Sequence, residues 1–158
     1  MKTLRLVRHA KSSWQDASLD DFDRPLKPKG IRRVTKLAKI LGPLLHVQLL
    51  TSPARRAFDT AQIIHTICMP NTPVLTLDKL YTFEPNELFS AMTRLELHCS
   101  DICVVTHNPA ITAVANLLGA PDLDNVVTSG YVEFSANIQS WAQLSAKNTH
   151  YIRHLFLD

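Results

Sequence analysis

Short apolar runs alternate along this chain with longer stretches of helical period, and that alternation limits the folds open to it more than any other feature. Thr3–Val7, Val47–Leu50, Val74–Leu77 and Asp101–Thr106 read as strands, short runs of the kind that parallel sheets bury on both faces. Between them, Ile31, Val34, Leu37, Ala38 and Leu41 recur at helical spacing from Gly30 and stop at Gly42-Pro43. Ala57, Ala61, Ile64 and Ile67 repeat after Thr51-Ser52-Pro53, where Ser52 reads as a helix cap with Pro53 at the first helical position. Pro85-Asn86-Glu87 opens a third helix through Leu88, Met92 and Leu95, and His107-Asn108-Pro109 leads into a fourth that Gly119 closes. Tyr131–Phe134 and Tyr151–Leu157 complete the strands. Strands separated by helices predict an α/β fold around a mostly parallel sheet.

At 158 residues, 46% apolar and 20% charged, the chain suits one ordinary domain over 1–158 with a full core. Its formal charge of +3 comes from 17 basic and 14 acidic residues without a run of like charges, so an anionic ligand fits and nucleic acid is not an expected partner. Cys68, Cys99 and Cys103 form neither a pairable even set nor a CxxC, and read as reduced core thiols. The start lacks the pattern of a secretion signal, and no apolar stretch approaches the roughly 18 residues that span a bilayer. A cytoplasmic protein without a membrane partner is expected.

In open α/β sheets, ligands gather outside the carboxyl ends of the strands. Arg8-His9 follows the first strand and His107 follows the fourth, so a parallel sheet would bring both histidines to one rim. Arg55 or Arg56 falls in the first turn of a helix, where a cation is disfavoured unless it faces a bound anion. Residues 11–29 form a polar connection longer than the usual βα loop, which suits a segment that lines or covers a site; within it, Arg24 precedes the rigid Pro25. A lone histidine is more often a hydrogen-bonded or exposed imidazole, and His46, His65, His98, His150 and His154 are read that way.

Leu6-Val7-Arg8-His9-Ala10, Arg56-Ala57-x-x-Thr60-Ala61 and Val104-x-Thr106-His107-Asn108-Pro109 together resemble the signature blocks of the histidine phosphatase superfamily, in order and spacing. Arg24-Pro25-Leu26-x-Pro28-x-Gly30 and the compact length resemble its SixA-type phosphohistidine phosphatases more than the larger phosphoglycerate mutases. The resemblance implies a phosphoglycerate mutase-like three-layer sandwich, a mostly parallel central sheet flanked by helices. It also implies that His9 is the nucleophile, that Arg8, Arg56 and His107 form the phosphate pocket, and that Arg24 supports it. The Arg-Ala-x-x-Thr register selects Arg56 over Arg55. Ser12 and Trp14 resemble the serine and tryptophan that follow the Arg-His motif in mutases, with Gln15 where those have Asn and Ala10 where many members have Gly. Ser12 is thus a further candidate for substrate binding.

These roles are chemically coherent. A neutral imidazole can attack phosphorus, and guanidinium groups can neutralise the phosphoryl oxygens as charge spreads, so neither a metal nor another cofactor is expected. Arginines around the histidines would repel a metal cation. The segment Asp78 to Glu84 shows no clean match to the carboxylate that protonates alcohol leaving groups in many relatives, although Asp78 or Glu84 could fill the role. A weak acid position favours phosphoramidates. The expected activity is that of a protein phosphohistidine phosphatase; the alternatives are a phosphomonoesterase for a small phosphorylated metabolite and a phosphate-sensing binding module.

Overall fold

The computed structural model describes residues 1–158 and has six strands and four α-helices in one sheet-centred layer arrangement. β1 (Lys2–Arg8), β2 (Val47–Thr51), β3 (Val74–Thr76) and β4 (Asp101–Thr106) lie parallel in the order β3-β2-β4-β1. β5 (Tyr131–Ala136) pairs antiparallel with β1, and β6 (Thr149–Leu155) pairs antiparallel with β5 at the edge. The mostly parallel sheet anticipated from the alternation is therefore present, with two antiparallel strands at one side.

Alternation within each strand divides the core between two helical layers, because successive side chains leave a strand on opposite faces. Leu4, Leu6, Leu50, Ile102, Val104 and Phe134 pack with α3 (Pro85–Thr93) and α4 (Ala110–Leu117) through Leu88, Met92, Ile111 and Val114. On the opposite face, Val7, Leu49, Cys103, Val105 and Tyr131 meet α1 (Pro28–Leu41) and α2 (Arg55–Cys68) through Val34, Leu37, Ala61 and Ile64. This is the three-layer sandwich. Arg5 shares the second face and is buried, with Asp101 at 3.6 Å. Cys68 and Cys103 lie in that core as free thiols, and burial pushes them up to about 11 and about 12 respectively. No helix is long and apolar enough to cross a membrane.

Two helix starts differ from the sequence reading. α1 begins at Pro28 rather than Gly30, since proline suits the first helical turn where its missing N–H costs nothing. α2 begins at Arg55, and Ser52 does not cap it: the residue at the cap is Ala54, without a side-chain bond. The Ser52 hydroxyl is drawn elsewhere, 2.7 Å from Nε2 of His107, while it accepts the Ala54 N–H at 3.2 Å.

Backbone bonds lock the carboxyl ends of the parallel strands together. His9 N–H donates to Thr106 O at 3.1 Å and Ser52 N–H to Val105 O at 3.0 Å. Whatever follows β1, β2 and β4 is thereby fixed along one rim.

Candidate active site

His9 is 7% exposed and His107 fully buried, and their ring centroids lie 5.2 Å apart at that rim. The strand-end argument thus brings the two histidines together. Nδ1 of His9 is 2.8 Å from the Ala10 carbonyl, which can only accept, so the proton sits on Nδ1 and the Nε2 lone pair faces outward from that bond. Arg56 Nε–H donates to that Nε2 at 3.3 Å. Burial, with Arg56, Arg8 and Arg24 adding their charges, holds His9 down at about 3. Burial, then the neighbouring His9 and Arg56, also holds His107 down at about 3. Both rings are neutral at pH 7.

The α2 register explains why Arg56, and not Arg55, turns inward. Thr60, one turn on, donates its hydroxyl to Arg56 O at 2.6 Å and accepts the Ala10 N–H at 2.9 Å. One threonine therefore ties the first turn of α2 to the loop that carries His9. Arg55 lies on the outer surface, 3.6 Å from Asp59.

Arg8 donates to Val126 O at 3.0 Å, while its buried Nε has no partner within the protein. His107 Nδ1 and Ser129 Oγ are likewise buried and unpartnered. Polar atoms this deep ordinarily carry a hydrogen bond, so each of the three is free to bond to a ligand, as are Nε and Nη1 of the buried Arg5. Ser129 also donates its backbone N–H to the carbonyls of Arg8 and His9, at 3.1 and 3.2 Å.

The 11–29 loop folds back on itself through a bridge between Ser12 and Leu26 and a short 3-10 turn at Asp21–Asp23. Arg24 is 6% exposed; it donates to Ser12 Oγ at 2.7 Å and to Asp21 Oδ1 at 3.2 and 3.3 Å, and its guanidinium lies 3.5 Å from the centre of the exposed Trp14 ring. Arg24 and Ser12 are therefore joined to each other, with their hydrogen bonds directed within the loop. Sequence reasoning passed over the residue that connects this loop to the histidines. Asp21 accepts from Arg56 Nη2 at 2.9 Å and from the Tyr81 hydroxyl at 2.7 Å, and its backbone carbonyl takes Arg56 Nη1 at 2.6 Å. Partial burial alone would push Asp21 up, but the bonds from Tyr81 and Arg56 outweigh it and hold the carboxyl at about 2.

Aromatic rings close the outer side. Tyr81 and Phe83 each meet the His107 ring edge-on, at 5.3 and 5.5 Å, and Phe22 meets Tyr81 at 5.3 Å. Asp78 and Glu84 make no hydrogen bond or ion pair with the histidines or arginines: Asp78 lines a separate cavity with Leu75 and Leu77, and Glu84 sits at the N-terminal end of α3. No group of three or more His, Cys, Asp or Glu side chains is arranged to hold a metal ion.

Comparison with known proteins gives the family and the fold. The family model described as "Histidine phosphatase superfamily (branch 1)" matches residues 4–81. An uncharacterized protein of Mycobacterium tuberculosis is 32% identical over 120 residues, which cover 72% of this chain and 70% of the relative. Among solved structures, a candidate phosphohistidine phosphatase SixA from Nakamurella multipartitia superposes with a TM-score of 0.82 at 24% identity, covering 98% of this chain and 95% of that one. The protein histidine phosphatase SixA complexed with tungstate gives a TM-score of 0.70 at 17% identity, covering 97% and 96%. With matched blocks that run from β1 past α2 and a fold shared over nearly its whole length, the chain belongs to the histidine phosphatase superfamily and is a phosphohydrolase.

Proposed function

We propose that the protein is a metal-independent phosphatase that removes the phosphoryl group from phosphohistidine on a protein, through a phosphohistidine intermediate on His9. The observation that carries this reading is an unprotonated His9 Nε2 beside three arginines, in a site whose one carboxylate is held as an anion. In the first step the Nε2 lone pair forms a bond to phosphorus, and the substrate N–P bond breaks with its electron pair returning to the substrate ring. Arg8, Arg56 and a donating His107 Nδ1–H neutralise the equatorial oxygens, where preorganised donors in a water-poor site are most effective. In this reading the Ser52 hydroxyl donates to His107 Nε2 across their 2.7 Å contact, which leaves the ring proton on Nδ1. Arg24 and Ser12 support the pocket from the loop, Ser12 through its remaining hydroxyl proton. In the second step water forms the new P–O bond, the electron pair returns to His9 Nε2, and the water protons leave with inorganic phosphate.

The leaving group decides the substrate class. An alkoxide needs a proton donor, whereas a ring protonated on its distal nitrogen departs as neutral imidazole. Asp21 cannot donate a proton near pH 7, and Asp78 and Glu84 stand outside the hydrogen-bonded site. The SixA structure with bound tungstate, an oxyanion, lends further support through its shared fold. A small-metabolite ester is the second reading; glucosyl-3-phosphoglycerate phosphatase shares the fold at a TM-score of 0.67 and 15% identity.

The test is phosphate release from a phosphohistidine peptide and from 4-nitrophenyl phosphate, with chelator present, for the wild type and for His9→Ala. Phosphohistidine turnover that survives the chelator and disappears in His9→Ala is the expected result. Unchanged turnover in His9→Ala would reject the nucleophile, and turnover of the ester alone would move the assignment to the metabolite phosphatase.

A further inference from the structure

Only 7% of the residues are aromatic, yet Trp14, Phe22, Tyr81 and Phe83 gather around the mouth of the arginine-histidine site. Tyr81 and Phe83 lie 5.7 Å apart, edge to face, and Phe22 continues the row on the far side of Tyr81. Packing against one another does not bury them, since Phe22 remains 39% and Phe83 44% exposed. Contiguous apolar surface left open beside a polar pocket marks a contact with something that docks there. The row also has a charge sense. An aromatic face is negative, and the Tyr81 hydroxyl donates at 2.7 Å to an Asp21 carboxylate whose charge is already paired with Arg56 and Arg24, so what attracts a cation at this edge is the rings themselves. The inner wall of the mouth is therefore cationic, through Arg8 and Arg56, and the outer wall attracts cations.

We infer that Phe22, Tyr81 and Phe83 form the leaving-group subsite and recognise the protonated imidazole ring of phosphohistidine. The inference rests on the phosphohistidine reading above and adds how the ring is selected. Protonated phosphohistidine is a zwitterion with a negative phosphoryl group on a positive ring, which matches a cationic inner wall and an aromatic outer wall. Ring-on-ring contact and cation-π attraction are available to imidazolium and to no alkyl alcohol, while the carboxylate of an acyl phosphate leaving group would be repelled by the same faces. Holding the ring in its protonated form also supplies what the missing acid would provide. As His9 Nε2 bonds to phosphorus, the N–P electron pair returns to a ring that already carries its proton, and neutral imidazole departs. The rim strengthens substrate binding and raises the protonated fraction, so its contribution belongs mainly to KM.

The experiment compares a phosphohistidine peptide with phosphoramidate, whose leaving group is ammonia and has no ring, from pH 5 to 9. The proteins are the wild type, Phe83→Leu, Phe22→Leu and the double variant, with circular dichroism to verify folding. In the double variant KM for the phosphohistidine peptide should rise about ten-fold with kcat changed less than about two-fold. The phosphohistidine-to-phosphoramidate ratio of kcat/KM should fall by a similar factor, and the alkaline limb for phosphohistidine should move to lower pH. Phe83→Trp should restore the ratio. Equal losses on both substrates, or an unchanged ratio and alkaline limb in the folded double variant, would overturn the subsite while leaving the phosphatase assignment intact. Failure of the wild type to turn over phosphohistidine at all would overturn both.

Discussion

Arg56 and His9 are joined by a hydrogen bond of 3.3 Å from the guanidinium Nε to the imidazole Nε2, the nitrogen proposed to attack phosphorus. The same guanidinium holds the Asp21 carboxylate at 2.9 Å and the Asp21 carbonyl at 2.6 Å, and the side chain is 2% exposed. Arg56 can therefore orient the nucleophile and present charge to the phosphoryl group only as a planar fork with several donors. Lysine has the charge without the fork. Arg56→Lys should lower kcat by about 10²- to 10³-fold, the cost typical of losing an oriented transition-state donor, and Arg56→Ala should be worse by only a small further factor. Steady-state kinetics on a phosphohistidine peptide would check this; a lysine variant with near wild-type kcat would show that charge alone suffices.

Asp21 has two opposed effects. It orders Arg24, Arg56 and Tyr81 through its carboxylate, yet it is a permanent anion beside a site for anions. Asp21→Asn keeps an acceptor oxygen and removes the charge. It should lower kcat about ten-fold through looser arginines, while inorganic phosphate inhibits several-fold more tightly. A kcat loss accompanied by weaker phosphate inhibition would mean that positioning governs binding as well.

The histidine pair was legible from sequence because the physics behind it is topological. Parallel strands present their carboxyl ends together, so residues directly after β1 and β4 must share a rim. Helix position alone left Arg55 and Arg56 equivalent, and only the resemblance of Arg56-Ala57-x-x-Thr60 to a family block selected Arg56. Asp21 was not legible, because its place depends on how the 11–29 loop closes through Ser12 and Leu26, and Asp16, Asp20 and Asp23 look equivalent without that closure. The Asp21-x-x-Arg24 spacing was the one available signal. Ser52 was misread for a related reason: serine before proline suits a helix cap, and only the arrival of His107 from β4 claims its hydroxyl. The antiparallel sense of β5 and β6 is invisible to apolar patterning, which reports burial and not direction.

Ser52→Ala tests the tautomer of His107. Without the hydroxyl at 2.7 Å, Nε2 loses its donor and the proton can move away from Nδ1. The expected result is a kcat decrease of about 10- to 100-fold with little change in KM, because the donor acts on the developing charge. Ser52→Thr, which retains the hydroxyl, should recover much of the activity. Equal losses in both variants would point to packing.

Acid stability follows from the two neutral imidazoles. Both are held near 3 in the folded protein against 6.5 for an unperturbed histidine, so between these values the unfolded chain binds protons that the folded one refuses. The pair costs nothing above pH 6.5, and stability falls as pH drops below it, by up to about 1.4 kcal/mol per pH unit for each ring. Asp21, lowered from 3.8 to about 2, acts in a separate and lower window, where its stabilising contribution disappears as it protonates. Urea unfolding between pH 6.5 and 5 should show the histidine slope, and His107→Gln should reduce it by about half. An undiminished slope would mean that other groups set the acid sensitivity.

Gly30 marks where the loop and α1 are pressed together. A Cβ added there would lie 2.4 Å from the Lys11 carbonyl oxygen and 2.8 Å from the Lys11 nitrogen. Both are backbone atoms, and that carbonyl already accepts the Lys27 N–H at 2.9 Å, so the clash cannot be relieved by rotating a side chain. Overpacking of this kind costs about 3 kcal/mol, and the better helix propensity of alanine returns about 1. Gly30→Ala should therefore lose about 2 kcal/mol, a fall of about 4–8 °C in Tm for a chain of this length. Relief requires Lys11 to withdraw, which strains the adjoining Ser12–Leu26 bridge and the Ser12–Arg24 hydrogen bond. Activity should accordingly fall at temperatures well below the new Tm. A variant that loses stability but keeps full kcat/KM would show that Ser12 and Arg24 tolerate the displaced loop.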